Sequence, residues 1–174
     1  MLGNLLTAIF YILPAYIANA SPVIGVKLIG RGTPIDRGLL AWDGRRLLGD
    51  GKTFEGLLFG LTCGTITGLI IVSQNNLGAH RSPLEPFLLS VGTMIGDILG
   101  SFIKRRLGLE RGAPAPILDQ IGFAVCALLL GFVFYGPPDW FSFDVLLALL
   151  FITGVLHLAT NFVAYLLGLK DRPY

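Results

Sequence analysis

The chain has 174 residues, 53% of them hydrophobic and only 14% charged, with a mean hydropathy of +0.73. An ordinary soluble domain is about 25% charged, so a water-soluble fold is excluded, as are disorder by the apolar fraction and a disulfide scaffold by the two cysteines. The net charge of +2 conceals where the charges sit: residues 2–26, 56–80, 120–138 and 145–169 carry none, and 86–103 carry only Asp97. A helix of about 20 apolar residues crosses the hydrocarbon of a bilayer. This is the sequence of an all-α integral membrane protein.

Five spanning helices are expected, at roughly 3–26, 55–74, 85–105, 119–136 and 143–168, each apolar on nearly all faces. No linker or low-complexity stretch interrupts 1–174, so the whole chain is read as one membrane-embedded domain. The first span opens as MLGNLLTAIF, without the basic n-region or the small-residue cleavage site of a signal peptide. Near its inner end, NASPVIG places Asn19 and Ser21 just before Pro22, as a proline-kinked helix end or a polar contact point. The second and third spans carry glycine every fourth residue, at Gly56, Gly60, Gly64 and Gly68 and again at Gly92, Gly96 and Gly100. That spacing puts small residues on one face and lets backbones pack closely. Cys63 and Cys126 lie inside spans as packing residues, without ligands at metal spacing.

Orientation follows from the basic residues, which are retained on the cytoplasmic side of membranes. Twelve of the thirteen lie in the 27–54 loop, the loop after the third span, or the tail with Lys170 and Arg172; only Arg81 is on the other face. The N-terminus is therefore expected outside and the C-terminus in the cytoplasm.

Charges close to the membrane carry the chemistry, because an ion there is costly. In GDILGSFIKRR (96–106), Asp97, Ser101 and Lys104 share one helical face, as a ligand site or as an internal Asp–Lys pair. In PAPILDQIGF, Asp119 opens the fourth span beside the same membrane face, or serves as an N-terminal carboxylate favoured by the helix dipole. Two converging carboxylates beside Lys and Arg suit a Mg²⁺ ion bridging to phosphates. The third segment, WDGRRLLGDGKTFEG, is not a P-loop. That motif needs a glycine separated by four residues from Gly-Lys, and Arg46 stands there with no strand before it. Its glycines, Lys52, Thr53 and arginines still form a phosphate cradle, or a basic loop meeting anionic headgroups. Asp43, Asp50 and Glu55 oppose the second reading.

NASPV, DGRRLLGDGKTFEG, SVGTMIGDILGSFIKRRLGLERGAPAPILDQIGF and the closing LKDRPY together resemble the archaeal CDP-archaeol synthase family, in order and over essentially the whole chain. The related CDP-diacylglycerol synthases carry a GD…S…KR block, matched here by Gly96-Asp97, Ser101 and Lys104-Arg105, and then an Asp-Arg pair where this chain has Asp119-Gln120. The resemblance implies transfer of CMP from CTP to 2,3-di-O-geranylgeranylglyceryl phosphate, releasing diphosphate, with Asp97 and Asp119 holding Mg²⁺. Lys104, Arg105, Lys52 and Arg46 would bind phosphates. Asn19, Ser21, Ser101, Thr53 and Asp43 are further candidates for nucleotide or metal contacts, and grooves between spans would hold the isoprenoid chains. The expected partners are CTP, the lipid phosphate and membrane lipids, with no nucleic acid; a homo-oligomer is compatible with the sequence. The competing class is a small transporter or channel using Asp97 as its ion site. It requires polar residues running to the outer face, where His80 and His157 are isolated.

Overall fold

The computed structural model describes residues 2–74 and 78–169; the tail cations Lys170 and Arg172 lie outside that range. Five helices follow one another: α1 (Leu2–Ile29), α2 (Phe54–Ser73), α3 (Leu84–Arg106), α4 (Leu118–Tyr135) and α5 (Phe143–Leu166). All five are long and apolar enough to cross a membrane, and their ends fall within three residues of the expected spans. Among the described residues regular structure is otherwise limited to two isolated bridges, Pro34 with Thr53 and Leu40 with Arg46.

The glycine rows do what their spacing predicts. A Cβ on Gly60 would meet the Ala18 carbonyl oxygen at 2.8 Å, and one on Gly64 the Pro14 carbonyl oxygen at 2.7 Å. Those contacts are possible only where α2 lies directly on α1. The second row does the same for α3 on α4, where a Cβ on Gly92 would meet Ala127 Cα at 2.7 Å and one on Gly96 would meet Phe123 Cα at 2.8 Å. The bundle is thus two close pairs, α1–α2 and α3–α4, with α5 against α4 and α1. Backbone proximity maximises dispersion contact in lipid, where burial from water contributes nothing.

The apolar core, built on Tyr11, Ile12, Leu89, Leu128, Trp140 and Leu149, is displaced toward one end of the bundle. The same end holds an ionic cluster absent from the expectations above. Glu85, fully buried, accepts hydrogen bonds from Tyr11 Oη at 3.0 Å, from the Arg81 backbone N–H at 2.8 Å and from Arg81 Nη2 at 2.6 Å. Arg81 continues to the carbonyls of Tyr135 and Gly136, at 2.7 and 3.1 Å, and so ties α3 to the end of α4. His80 stacks on Tyr11 with ring centroids 5.3 Å apart; burial pushes its imidazole down to about 4, so it packs as a neutral ring. Loss of the Glu85 carboxylate leaves the buried Tyr11 hydroxyl without its acceptor, at about 1–3 kcal/mol, and Arg81 without its counter-ion. Glu85→Ala is therefore expected to lower the detergent melting temperature strongly. A melting temperature equal to wild type would show that the cluster contributes no net stability.

The opposite end carries the two long loops, 30–53 and 107–117. That end holds the polar chemistry.

Candidate active site

The 30–53 loop is organised around Asp36. Only 4% exposed, this carboxylate accepts from Arg46 Nη2 at 2.6 Å, from Arg46 Nε at 3.2 Å, from the Leu48 and Gly49 backbone N–H groups at 2.9 Å each, and from Gly38 N–H at 3.2 Å. The Arg46 guanidinium, aided by the backbone donors, holds the Asp36 carboxyl well below the usual carboxylate range. Gly49 has φ +89°, a backbone state that glycine adopts without the Cβ penalty, and this turn aims its N–H at Asp36. Farther on, Ile35 N–H donates to the Lys52 carbonyl at 2.8 Å, and Glu55 accepts from Thr33 N–H and Oγ1 at 2.6 and 2.8 Å. Thr53 is the N-cap of α2, its Oγ1 accepting from Gly56 N–H at 3.1 Å.

So fixed, the loop sends Lys52 to α3, where its Nζ lies 2.5 Å from Asp97 Oδ2. Two helical turns farther along α3, Lys104 Nζ donates to both oxygens of Asp119, at 2.8 and 3.0 Å. Asp119 also accepts from Ala115 N–H at 2.8 Å, folding the 107–117 loop back over the start of α4. Just before it, Ile117 is held at φ +70°, an unusual state for a β-branched residue. A rise of 1.5 Å per residue puts Asp97 and Lys104 about 10 Å apart along one face of α3. The sequence pattern put Asp97 and Lys104 together on that face; the structure keeps the face and gives each charge a partner from another segment.

At the same loop end is an open cavity of about 370 Å³, lined by Arg45, Arg46, Arg105 and Arg111 with Asp50 and Glu110 and by none of the four paired residues themselves. Arg46 also pairs with Asp50 at 2.8 Å, and Arg105 Nη2 donates to the Glu110 carbonyl at 2.9 Å. Its wall includes Gly49, and a Cβ there would approach Arg105 Nη1 to 3.5 Å; one on the neighbouring Gly51 would approach Arg111 Nε to 3.6 Å. Bare backbone thus faces a cluster of guanidinium groups, an arrangement suited to phosphate oxygens.

The other candidates fall elsewhere. Thr53 is buried and acts as a cap. Asp43 accepts from Arg45 N–H at 3.1 Å and pairs with Arg106 at 3.1 Å, tying the 39–47 turn to the end of α3. Ser21 is buried in α1 with its hydroxyl unpartnered, and Asn19 lies nearby on the same helix, half-buried. Ser101 is half-buried on α3 between the two ion pairs. Asp36 and Arg111 are not singled out by the sequence, and Arg45 enters only as one of the two loop arginines. Each is one charge in a glycine-punctuated loop, and only the tertiary path of that loop distinguishes it.

Among the described residues no group of three or more His, Cys, Asp or Glu side chains gathers as a metal site. Asp97 and Asp119, whose side chains are 31% and 33% exposed, offer hard oxygen donors with room for a ligand. Two carboxylates completed by water and substrate phosphates are a donor set that fits Mg²⁺.

Comparison with known proteins places this architecture. The family model for CarS-like CDP-archaeol synthase matches residues 1–174. The chain belongs to the CDP-archaeol synthase family. A CDP-archaeol synthase of Methanococcus aeolicus is 47% identical, the match covering 95% of this chain and 94% of that one. One from Methanocaldococcus jannaschii is 44% identical, with 96% of each covered. The solved structure of an intramembrane enzyme for archaeal membrane lipids biosynthesis superposes with a TM-score of 0.77 at 41% identity, over 88% of this chain and 92% of that one. Membership of the CDP-archaeol synthase family fits both the five-helix membrane architecture and the gathering of Asp, Lys and Arg at one end.

Proposed function

We propose that the protein is a Mg²⁺-dependent cytidylyltransferase that moves CMP from CTP to 2,3-di-O-geranylgeranylglyceryl phosphate, from the cytoplasmic face of the membrane. The observation that carries this reading is the pair of lysine–carboxylate contacts on one face of α3, at the same end as a cavity walled by arginines. Ten of the eleven basic residues within the described range lie at the loop end, which supports the cytoplasmic assignment, where CTP is found.

In the reaction, an oxygen of the lipid phosphate attacks the α-phosphorus of CTP. The bond from that phosphorus to the bridging oxygen breaks, and diphosphate departs. No general base is required, because the nucleophile is already an anion. Held by Asp97 and Asp119, Mg²⁺ would neutralise charge as diphosphate leaves. The arginines of the cavity bind the triphosphate, and Lys52 and Lys104 position phosphate oxygens against the two carboxylates. The isoprenoid chains lie along the exposed apolar faces of the helices, with the lipid phosphate at the level of the site.

A transporter built on Asp97 has less support. The charged cluster at the other end, Arg81 with Glu85, is closed on itself by hydrogen bonds, and residues 86–96 between Glu85 and Asp97 carry no charge. Sealed inverted vesicles given the lipid phosphate, Mg²⁺ and CTP labelled at either the α- or the γ-phosphorus test the proposal. The α-label is expected in the lipid and the γ-label in free diphosphate. Transfer of the γ-label to lipid, or no labelled lipid at all, would overturn it.

The role given to Lys52 has its own test. A charge-assisted contact to phosphate contributes about 1.5–3 kcal/mol, so Lys52→Ala is expected to change KM for CTP or kcat about tenfold or more. Arg31, exposed in the same loop, is the control, and Arg31→Ala should stay within about twofold. Equal, small effects at both positions would reduce this loop to a lipid-facing basic patch.

A further inference from the structure

One feature of the loop end has no part in the reaction. The turn at 39–47 carries Leu39, Leu40 and Trp42, which are 61%, 61% and 83% exposed. Three large apolar side chains within four residues, on an otherwise polar loop, form a patch that water disfavours. The turn has a fixed place. Arg45 Nη1 donates to the Arg106 carbonyl at 3.1 Å, Arg106 Nη2 donates to the Arg46 carbonyl at 2.6 Å, and Asp43 pairs with Arg106 at 3.1 Å.

That attachment sets the level of Trp42. Its indole packs edge-on against Phe102 with ring centroids 6.1 Å apart, and the Arg106 guanidinium lies over both rings, 5.4 Å from Trp42 and 5.1 Å from Phe102. Phe102 is one turn before the basic end of α3, about 6 Å along the axis from Arg106. Its neighbours Leu99 and Ile103, 47% and 41% exposed, face outward from the bundle toward lipid. The indole therefore sits where an apolar helix face gives way to charge, the level at which an amphipathic ring prefers to lie.

We propose that Leu39, Leu40 and Trp42 form an interfacial anchor that enters the headgroup region of the leaflet on this side, continuous with the lipid-facing surface of α3. The occupant is an anionic lipid interface. The apolar tip follows the exposed Arg37, a cation that complements anionic headgroups, while Arg106 holds the base of the turn. The same turn leads into Arg45 and Arg46, so the anchor fixes the depth of the arginine-lined cavity relative to lipid headgroups. The anchor itself does not depend on which reaction the cavity serves.

The chain has two tryptophans, and Trp140 is 3% exposed at the other end. Trp140→Phe therefore isolates Trp42 for fluorescence in bilayers of phosphatidylcholine and phosphatidylglycerol. If Trp140→Phe does not fold, the Trp42→Phe spectrum subtracted from wild type gives the same signal. The expected result is blue-shifted emission, quenched more by lipids brominated near the headgroup than by lipids brominated near the chain end, and weakly by aqueous acrylamide. Emission typical of water with strong acrylamide quenching would overturn the proposal. So would protection from both quenchers that disappears on dilution of the protein in lipid, which would place a second copy on the patch.

Discussion

Asp97→Asn and Asp119→Asn are each expected to abolish turnover, by about 10³-fold or more, while the variants keep the fold and detergent stability of the parent. A carboxylate that binds a metal bridging to the reacting phosphates acts most strongly as negative charge develops on the leaving group, and several kcal/mol of stabilisation correspond to that factor. The substitution is isosteric, and an amide oxygen still accepts from Lys52 or Lys104, so packing around α3 and α4 is preserved. Lys52 and Lys104, whose side chains are 24% and 13% exposed, keep the amide oxygen as an acceptor, so neither is left without a hydrogen-bond partner. Turnover is measured with labelled CTP, and folding by circular dichroism and size exclusion. Near-normal turnover in either variant would remove that residue from the site.

The second large effect is expected at Asp36, which has no proposed contact with substrate and acts through Arg46 and the loop backbone. Asp36→Ala strips the acceptor from Arg46 and from the Gly38, Leu48 and Gly49 N–H groups at once. The loop then loses the course that brings Arg46 to the cavity and Lys52 to Asp97. We expect KM for CTP to rise about 100-fold with a smaller change in kcat, because misplacement of binding groups by about 1 Å has effects of that size. The helix bundle should melt almost as before, since all of these partners lie within the loop. The acid dependence has a defined sign. Asp36 is held below its unfolded value of about 3.9, so its contribution is complete above that pH and is lost only as pH falls below it. Limited proteolysis at Arg45 and Arg46 should be indifferent to pH between about 5 and 8 in the parent chain and rapid throughout in Asp36→Ala. Equal cleavage of the two proteins would show that Asp36 does not hold the loop.

The sequence reveals the elements of this fold more completely than their partners. The helices are legible because hydrocarbon imposes a length and an all-round apolar composition, and the glycine rows are legible because close backbone approach excludes a Cβ. Asp97, Lys104 and Asp119 stand out because charge is rare so close to a span. Their pairing is not legible. Residues two turns apart on α3 share a face but are too far apart to touch, and each reaches instead to a group from a distant segment, Lys52 or Asp119. Asp36 and Arg111 depend entirely on how the loops cross, a tertiary property with no local periodicity. Thr53 and Asp43 show the converse, since polar residues in a phosphate-like motif serve equally well as a helix cap and a loop tie. Glu85 shows how far composition conceals a buried ion: a single acidic residue at the edge of an apolar span carries no sequence mark of its enclosure by Tyr11 and Arg81.

In the proposed site Asp97 and Asp119 together hold a divalent metal with the triphosphate of CTP. Electron paramagnetic resonance of Mn²⁺, added in place of Mg²⁺ to the purified protein with and without CTP, tests it most directly. The expected result is weak Mn²⁺ binding to the protein alone, tight binding when CTP is present beyond what CTP achieves in solution, and loss of that gain in both Asp97→Asn and Asp119→Asn. An undiminished CTP-dependent Mn²⁺ signal in both variants would contradict it.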